Sequence, residues 1–317
     1  MHTLLNWMAA RSLYVMASGV FVGYAFPELA EIAGPALPVS VAGMMVIGML
    51  RIDRSDLFET LSRWQALAGL LLFIMVVSPL ATWVVVGVLD VRPGLAVALV
   101  LTAACPPLMS TVSLAWMLGF NPPLALALVT VATLVCPAIL AMVLMFFPDA
   151  GIDLDSLALL IRLSALISGC YLAATVLRWL LGPGRVERAA SLWDVMTVCF
   201  LLVFAIAIMD GVAIRANAEP AFVAGLLAAA FAINLLLQCA GACVALPLGV
   251  SSALTVGFAS GSRAAGIILA VAPGDATSDL VLFFALYQVP MYVLPSLLRP
   301  LYRWLLQRER RPPSTST

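Results

Sequence analysis

Arg263 stands in the stretch GFASGSRAAGIILAVA, Gly257 to Ala272, where every other residue is apolar or small. A guanidinium is a permanent cation with five N–H donors in a planar fork, and its chemistry is to hold oxygen: a carboxylate or sulfonate, or backbone carbonyls. Placing an arginine at the centre of a membrane helix costs about 2.5–3.5 kcal/mol on insertion scales, so something inside the protein must compensate for it. The nearest acid along the same span is Asp275, twelve residues on. At 1.5 Å per residue that is about 18 Å away, beyond the reach of the side chain. The remaining polar groups in apolar sequence are few. Ser260 and Ser262 flank the arginine; Ser110, Thr111 and Ser113 follow the triplet Cys105-Pro106-Pro107. Thr130 and Thr133 lie in the next apolar run, Asn234 and Gln238 are one helical turn apart, and Gln288 precedes Pro290 by two residues. Each of these either presents oxygen or nitrogen to a ligand or hydrogen-bonds between closely packed helices.

The elements that must carry these residues follow from composition. The chain has 317 residues, of which 64% are hydrophobic and 10% charged. A soluble domain carries about 25% charged residues, so the solvent for most of this surface is lipid. The apolar runs are too long and too evenly apolar for barrel strands, which predicts an all-α polytopic membrane protein. Ten spans are predicted, over 12–30, 33–50, 64–89, 94–118, 122–147, 156–181, 190–210, 219–247, 251–273 and 277–306. Cys105, Pro106 and Pro107 break the fourth span, and Gly257, Gly261 and Gly266 weaken the ninth. The third to fifth and the eighth to tenth spans thus form two units, each with an interrupted helix in the middle. Five spans separate the two breaks, so the units enter from opposite sides, as in inverted-repeat transporters.

Charge predicts the orientation. All 16 basic residues are arginine. Arg11, Arg51, Arg54, Arg63, Arg178, Arg185, Arg188, Arg299, Arg303, Arg308, Arg310 and Arg311 fall on one side, and only Arg92 and Arg215 on the other. That second side holds the acids Glu28, Glu31, Asp90, Asp149, Asp153, Asp155, Asp210, Glu219, Asp275 and Asp279. The positive-inside rule puts both termini in the cytoplasm, which for a chain of this kind means the cytoplasmic (inner) membrane. The polar tail, 307–317, reads as disordered. Arg162 is expected to snorkel, Asp194 to anchor an interfacial end beside Trp193, and Pro290 to kink the last span.

Other chemistry finds no support. Cys105, Cys136, Cys170, Cys199, Cys239 and Cys243 all lie in apolar runs without metal-ligand spacing and read as small buried hydrophobes. His2 reads as incidental. No phosphate-cradling loop, nucleophile–base pair or zinc pattern occurs, so neither an enzyme nor a cofactor, metal or nucleic-acid partner is expected.

Over nearly its full length the chain resembles the bile acid:sodium symporter family. IAGPALPVSVAGMMVIGMLRIDRSDLF, Ile32 to Phe58, looks like that family's second span and the acidic loop after it. AACPPLMSTVSLAWMLGFNPPLALALVTVATLVCP, Ala103 to Pro137, looks like its fourth and fifth spans, with Cys105, Pro106, Gly119 and Asn121 matching. FASGSRAAG, Phe258 to Gly266, fits its ninth-span pattern without gaps. The resemblance implies a core, 64–147 and 219–306, in which spans 4 and 9 cross at their breaks. It implies a panel, 12–50 and 156–210, that rocks against the core within a single transporter domain, 1–317. Family members bind sodium beside the crossing and organic anions between core and panel. Here the sodium ligands do not carry over. Their positions fall on Thr111 and Val112, on Ala125 and Val129, and on Ala259, Arg263 and Ala264. Alanine and valine offer a hard cation no side-chain oxygen, and a guanidinium repels it. Tyr287 and Gln288 align with a polar pair in the tenth span.

Three readings of Arg263 follow. Its head replaces a sodium ion and holds the crossing together; or it binds a substrate anion; or it pairs structurally, for example with Asp194. The expectation is a secondary transporter of a small organic anion, working by alternating access, with sodium binding absent or weak. The alternatives are an arsenite-permease-like extruder, although that family's tenth-span glutamate and ninth-span asparagines are missing, and a non-transporting sensor that kept the fold.

Overall fold

With no water to satisfy a backbone in hydrocarbon, apolar runs of this length close their hydrogen bonds within helices. The computed structural model describes residues 12–51, 64–146, 156–271 and 279–309, and among these it is all-α. Among the described residues, seven helices are long and apolar enough to cross a membrane: Pro27–Leu50, Trp64–Val88, Pro122–Met145, Ser156–Leu181, Ala190–Ala218, Pro220–Leu248 and Asp279–Glu309. Their outward surfaces are apolar, with Trp179 80% exposed, Val88 79% and Ile32 77%, as lipid contact requires. The protein is therefore an α-helical, multi-spanning membrane protein.

The chain order is α1 (Ser12–Ala25), α2 (Pro27–Ala33), α3 (Leu37–Leu50), α4 (Trp64–Leu72), α5 (Ser78–Val88), α6 (Pro93–Ala104) and α7 (Ser110–Leu118). Then come α8 (Pro122–Met145), α9 (Ser156–Leu181), α10 (Pro183–Arg188), α11 (Ala190–Ala207) and α12 (Val212–Ala218). The chain continues with α13 (Pro220–Ala245), α14 (Val250–Gly261), α15 (Gly266–Val271) and α16 (Asp279–Glu309). Three of the predicted spans are absent from the seven long helices: 12–30, whose described helix α1 has only 14 residues and ends before Pro27, and two that are each split. The segment 94–118 becomes α6 and α7, and 251–273 becomes α14 and α15, each piece shorter than the roughly 20 residues a span needs.

Helix α13 packs along α14 and against α16; α11 packs against α1 and α3; and α9 lies between α3 and α8. The α13–α14 contact is close because glycines face it. A Cβ on Gly257 would lie 2.6 Å from Gln238 O, and one on Gly241 would lie 2.8 Å from Ser260 Cβ. Gly257 is thus a packing residue inside α14, and the prediction that it marks the helix break is corrected: the break runs over 262–265, bounded by Gly261 and Gly266.

Further corrections concern the periphery. Cys199, Cys239 and Cys243 are exposed, so only Cys105, Cys136 and Cys170 are the buried hydrophobes expected of all six. Arg162 does not snorkel freely; its Nη1 donates to Val271 O at 3.1 Å, at the end of α15. Helix α16 continues to Glu309, whose carboxylate accepts from Val250 N at 2.8 Å, so residues 307–309 are not part of a disordered tail. The rest of that tail lies outside the described residues, as do His2, Arg11, Arg54, Arg63, Asp149, Asp153, Asp155, Asp275, Arg310 and Arg311.

Candidate functional site

The first break begins at Cys105. A residue before proline is pushed out of the α region, and Cys105 is extended, at φ −64° and ψ 151°. Pro106 and Pro107 bring no N–H, so the chain cannot resume a helix until Ser110. The second break follows Gly261, with Ser262 at φ −93° and ψ 83°. Each break would strand backbone groups in a buried region, and each satisfies the other. Ala264 N donates to Pro106 O at 2.9 Å and Leu108 N donates to Ser262 O at 2.8 Å, a short antiparallel bridge between Pro107 and Arg263.

Arg263 completes this junction. Its Nε donates to Ser260 O at 2.5 Å, its Nη1 to Cys105 O at 2.8 Å and its Nη2 to Ser78 Oγ at 3.0 Å. The side chain is fully buried. Among the described residues, the ion pairs are Arg51–Asp194, Arg215–Glu219 and Arg215–Asp279, and none includes Arg263. What balances the charge is helix ends. Ser260 lies in the last turn of α14, and Cys105 caps α6. The C-terminus of a helix carries roughly −0.5 of an elementary charge, so two such ends approximate one anion.

Ser78 is the third oxygen. It follows a π-helical turn, Phe73–Val77, and precedes Pro79, which cannot donate to the carbonyl four residues back. Its hydroxyl donates to Ile74 O at 2.7 Å and accepts from Arg263. Ser78 was not among the sequence candidates; its available signal was a Ser-Pro pair in the middle of the third predicted span.

Gly261 O, at the end of α14, is held by a second network. Tyr287 Oη donates to it at 2.5 Å and Asn234 Nδ2 at 2.7 Å. Gln238 Nε2 donates to Asn234 Oδ1 at 2.6 Å, and Tyr302 Oη donates to Gln238 Oε1 at 2.8 Å. Asn234 and Gln238 therefore bond between helices. Tyr287 is used here in a way its alignment did not reveal, and Tyr302 carried no signal at all.

Beside the junction lies a cavity of about 540 Å³. Its walls come from α3, α7, α8, α11, the two breaks, α15 and α16, and they are mainly apolar. Ser110, Ser113, Thr133, Gln288 and Tyr292 line it. Ser110 Oγ, Gln288 Oε1 and Tyr292 Oη have no hydrogen-bond partner among the described residues. Thr133 donates to Val129 O at 2.7 Å, and Ser113 is exposed. Thr111, Thr130, Ser260 and Ser262 carry hydroxyls without a partner among the described residues but do not line the cavity. Helix α15 reaches the wall because Gly266 lets the Phe204 ring approach; a Cβ there would sit 2.6 Å from Phe204 Cζ.

Asp194 is not the partner of Arg263. It forms an ion pair with Arg51 Nη1, at the more exposed end of the same cavity. No group of three or more His, Cys, Asp or Glu side chains that could hold a metal ion occurs among the described residues. Comparison with protein-family models and with curated proteins gave no match to this chain.

Proposed function

We propose that the chain is a secondary transporter of a small organic anion, with the fold of the bile acid:sodium symporter family and a fixed guanidinium where that family binds sodium. One observation carries this reading: Arg263 donates to oxygens from three separate elements, two of them carbonyls of the two interrupted segments. Carbonyls and a hydroxyl around one cation is what a metal-binding junction offers. Ala125, Val129 and Ala259, which the resemblance places at sodium ligands, are fully buried and apolar. Of the three readings of Arg263, the built-in cation fits best, because its N–H groups are held by junction oxygens and the side chain is fully buried.

The ten-span architecture belongs to this proposal. So do the inverted five-helix repeats, the core and panel, and the cytoplasmic placement of both termini in the inner membrane. The split segments α6–α7 and α14–α15, meeting at their breaks, are the feature expected of a midplane transport site. The cavity lies within the usual size range for a small-molecule site, and its unpartnered Ser110, Gln288 and Tyr292 atoms suit a polar group on an otherwise apolar molecule.

The test is uptake of radiolabelled monocarboxylates into proteoliposomes, with choline replacing sodium. The expected result is equal uptake in both cations, with uptake abolished by Arg263→Gln. A steep loss of transport in choline would overturn the built-in cation, and absence of flux for every anion tried would overturn the transport reading.

A further inference from the structure

Deepening that reading, the geometry points to Arg51 as the residue that recognises the substrate anion, with Asp194 as the counter-ion the substrate displaces, so that the cavity selects monoanions. The inference rests on the transport proposal for the cavity's use, but on separate residues.

Among the described residues, three charged residues line the cavity: Arg51, Asp194 and Arg263. Arg263 is fully buried, and its nitrogens are committed to Ser260 O, Cys105 O and Ser78 Oγ. Among the described residues, a ligand in the cavity therefore meets one cation, Arg51. The Arg51 side chain is 37% exposed and Asp194 36%, and they are joined through a single contact, Nη1 to Oδ1. An exposed, single-contact ion pair is weak, about 0–1 kcal/mol, so an entering carboxylate that binds the guanidinium through two oxygens displaces Asp194 at little cost. The two partners sit on different helices: Arg51 follows the last residue of α3, and Asp194 is in the first turn and a half of α11.

The remainder of the wall sets the other half of the specificity. Met44, Met45, Met109, Met117 and Met291 line it, flexible apolar side chains that adapt to varied hydrocarbon shapes. Among the described residues, a second carboxylate on the same molecule would find no free cation, because Arg263 is engaged, and would face Asp194 or methionine. One charge and an apolar body is the chemistry that fits.

The test uses three probes of equal chain length and different charge: octanamide, octanoate and suberate. Binding is read from the shift of the thermal unfolding midpoint of the full chain in lipid nanodiscs. The native chain is expected to bind octanoate more tightly than octanamide, and suberate weakly. Arg51→Gln should weaken octanoate by about ten- to a hundredfold, the loss expected for a charge-assisted hydrogen bond, while octanamide binding and the unliganded midpoint stay unchanged. Asp194→Asn should strengthen octanoate and suberate alike, since the competing carboxylate is gone. If Arg51→Gln still distinguishes octanoate from octanamide, or if the native chain does not, the assignment of Arg51 is overturned while the transport proposal stands. If octanoate binds through Arg51 yet is never taken up by proteoliposomes, the anion site stands and the transport proposal falls. If octanoate leaves the native midpoint unmoved, the assignment of Arg51 falls as well, and the uptake assay alone decides the transport proposal.

Discussion

Arg263 and Arg51 line one cavity and solve the same problem in opposite ways. Arg263 is fully buried, has no carboxylate, and is held by two backbone carbonyls and a hydroxyl. Arg51 is 37% exposed and is held by a carboxylate that is itself 36% exposed. A buried cation needs partners that cannot move away, and carbonyls at helix ends cannot. They belong to the backbone, and leaving them unpaired costs about 1–3 kcal/mol each. A rim cation needs a partner that can be exchanged. The first arrangement fixes a structure, and the second leaves a binding function open. Charge type alone does not distinguish them; burial and the rigidity of the partner do.

The comparison breaks most visibly at Arg263→Ala. That substitution leaves Ser260 O and Cys105 O without their side-chain donor in the interior, and the expected loss is about 3–5 kcal/mol of stability, the range for breaking a buried charged group's contacts. A large fall in the unfolding midpoint in nanodiscs, with low yield of folded protein, is the readout; a midpoint near that of the native chain would show that the junction does not depend on the cation. Arg263→Lys sharpens the point. It keeps the charge but loses the fork that reaches three oxygens, and a loss of about 1–3 kcal/mol is expected, between alanine and native. Equality with the native chain would mean that only charge matters there.

Tyr287→Phe tests the neighbouring carbonyl. Gly261 O keeps Asn234 as a donor, so the expected loss is about 0.5–1.5 kcal/mol, read by urea or thermal unfolding. A loss as large as that of Arg263→Ala would mean that the two networks form one cooperative unit. The smallest effect belongs to the rim. Arg51→Gln and Asp194→Asn are each expected to change stability by at most about 1 kcal/mol, as exposed pairs do. A destabilisation of several kcal/mol at either position would erase the distinction between fixed and exchangeable partners.

Much of this was legible in the residues. Cys105-Pro106-Pro107 announced a break because proline cannot continue a helix, and Asn121 announced the next start, where its side chain accepts from Leu124 N at 3.2 Å. Arg263 announced itself by being charged where nothing else is. The second break was placed less well. Glycine both ends helices and lets them pack closely, and the sequence does not say which; Gly257 packs against Gln238 and Ala242, whereas Gly261 and Gly266 bound the break. The partners of Arg263 were only partly legible. Broken-helix carbonyls were expected, but Ser78, 185 residues away, was not. Asp194 had been a candidate partner and instead faces Arg51, because α11 sets it at the cavity's end and not at its floor.

By itself the amino-acid sequence determined the solvent, the helical class, the two interruptions and the presence of an uncompensated cation, because each of these follows from local composition and from what proline and lipid forbid. The tertiary structure alone decided which oxygens meet that cation and which arginine a cavity ligand can reach. Those depend on how helices distant in the chain cross, and a hydrogen bond is decided by a few tenths of an ångström that no residue pattern encodes.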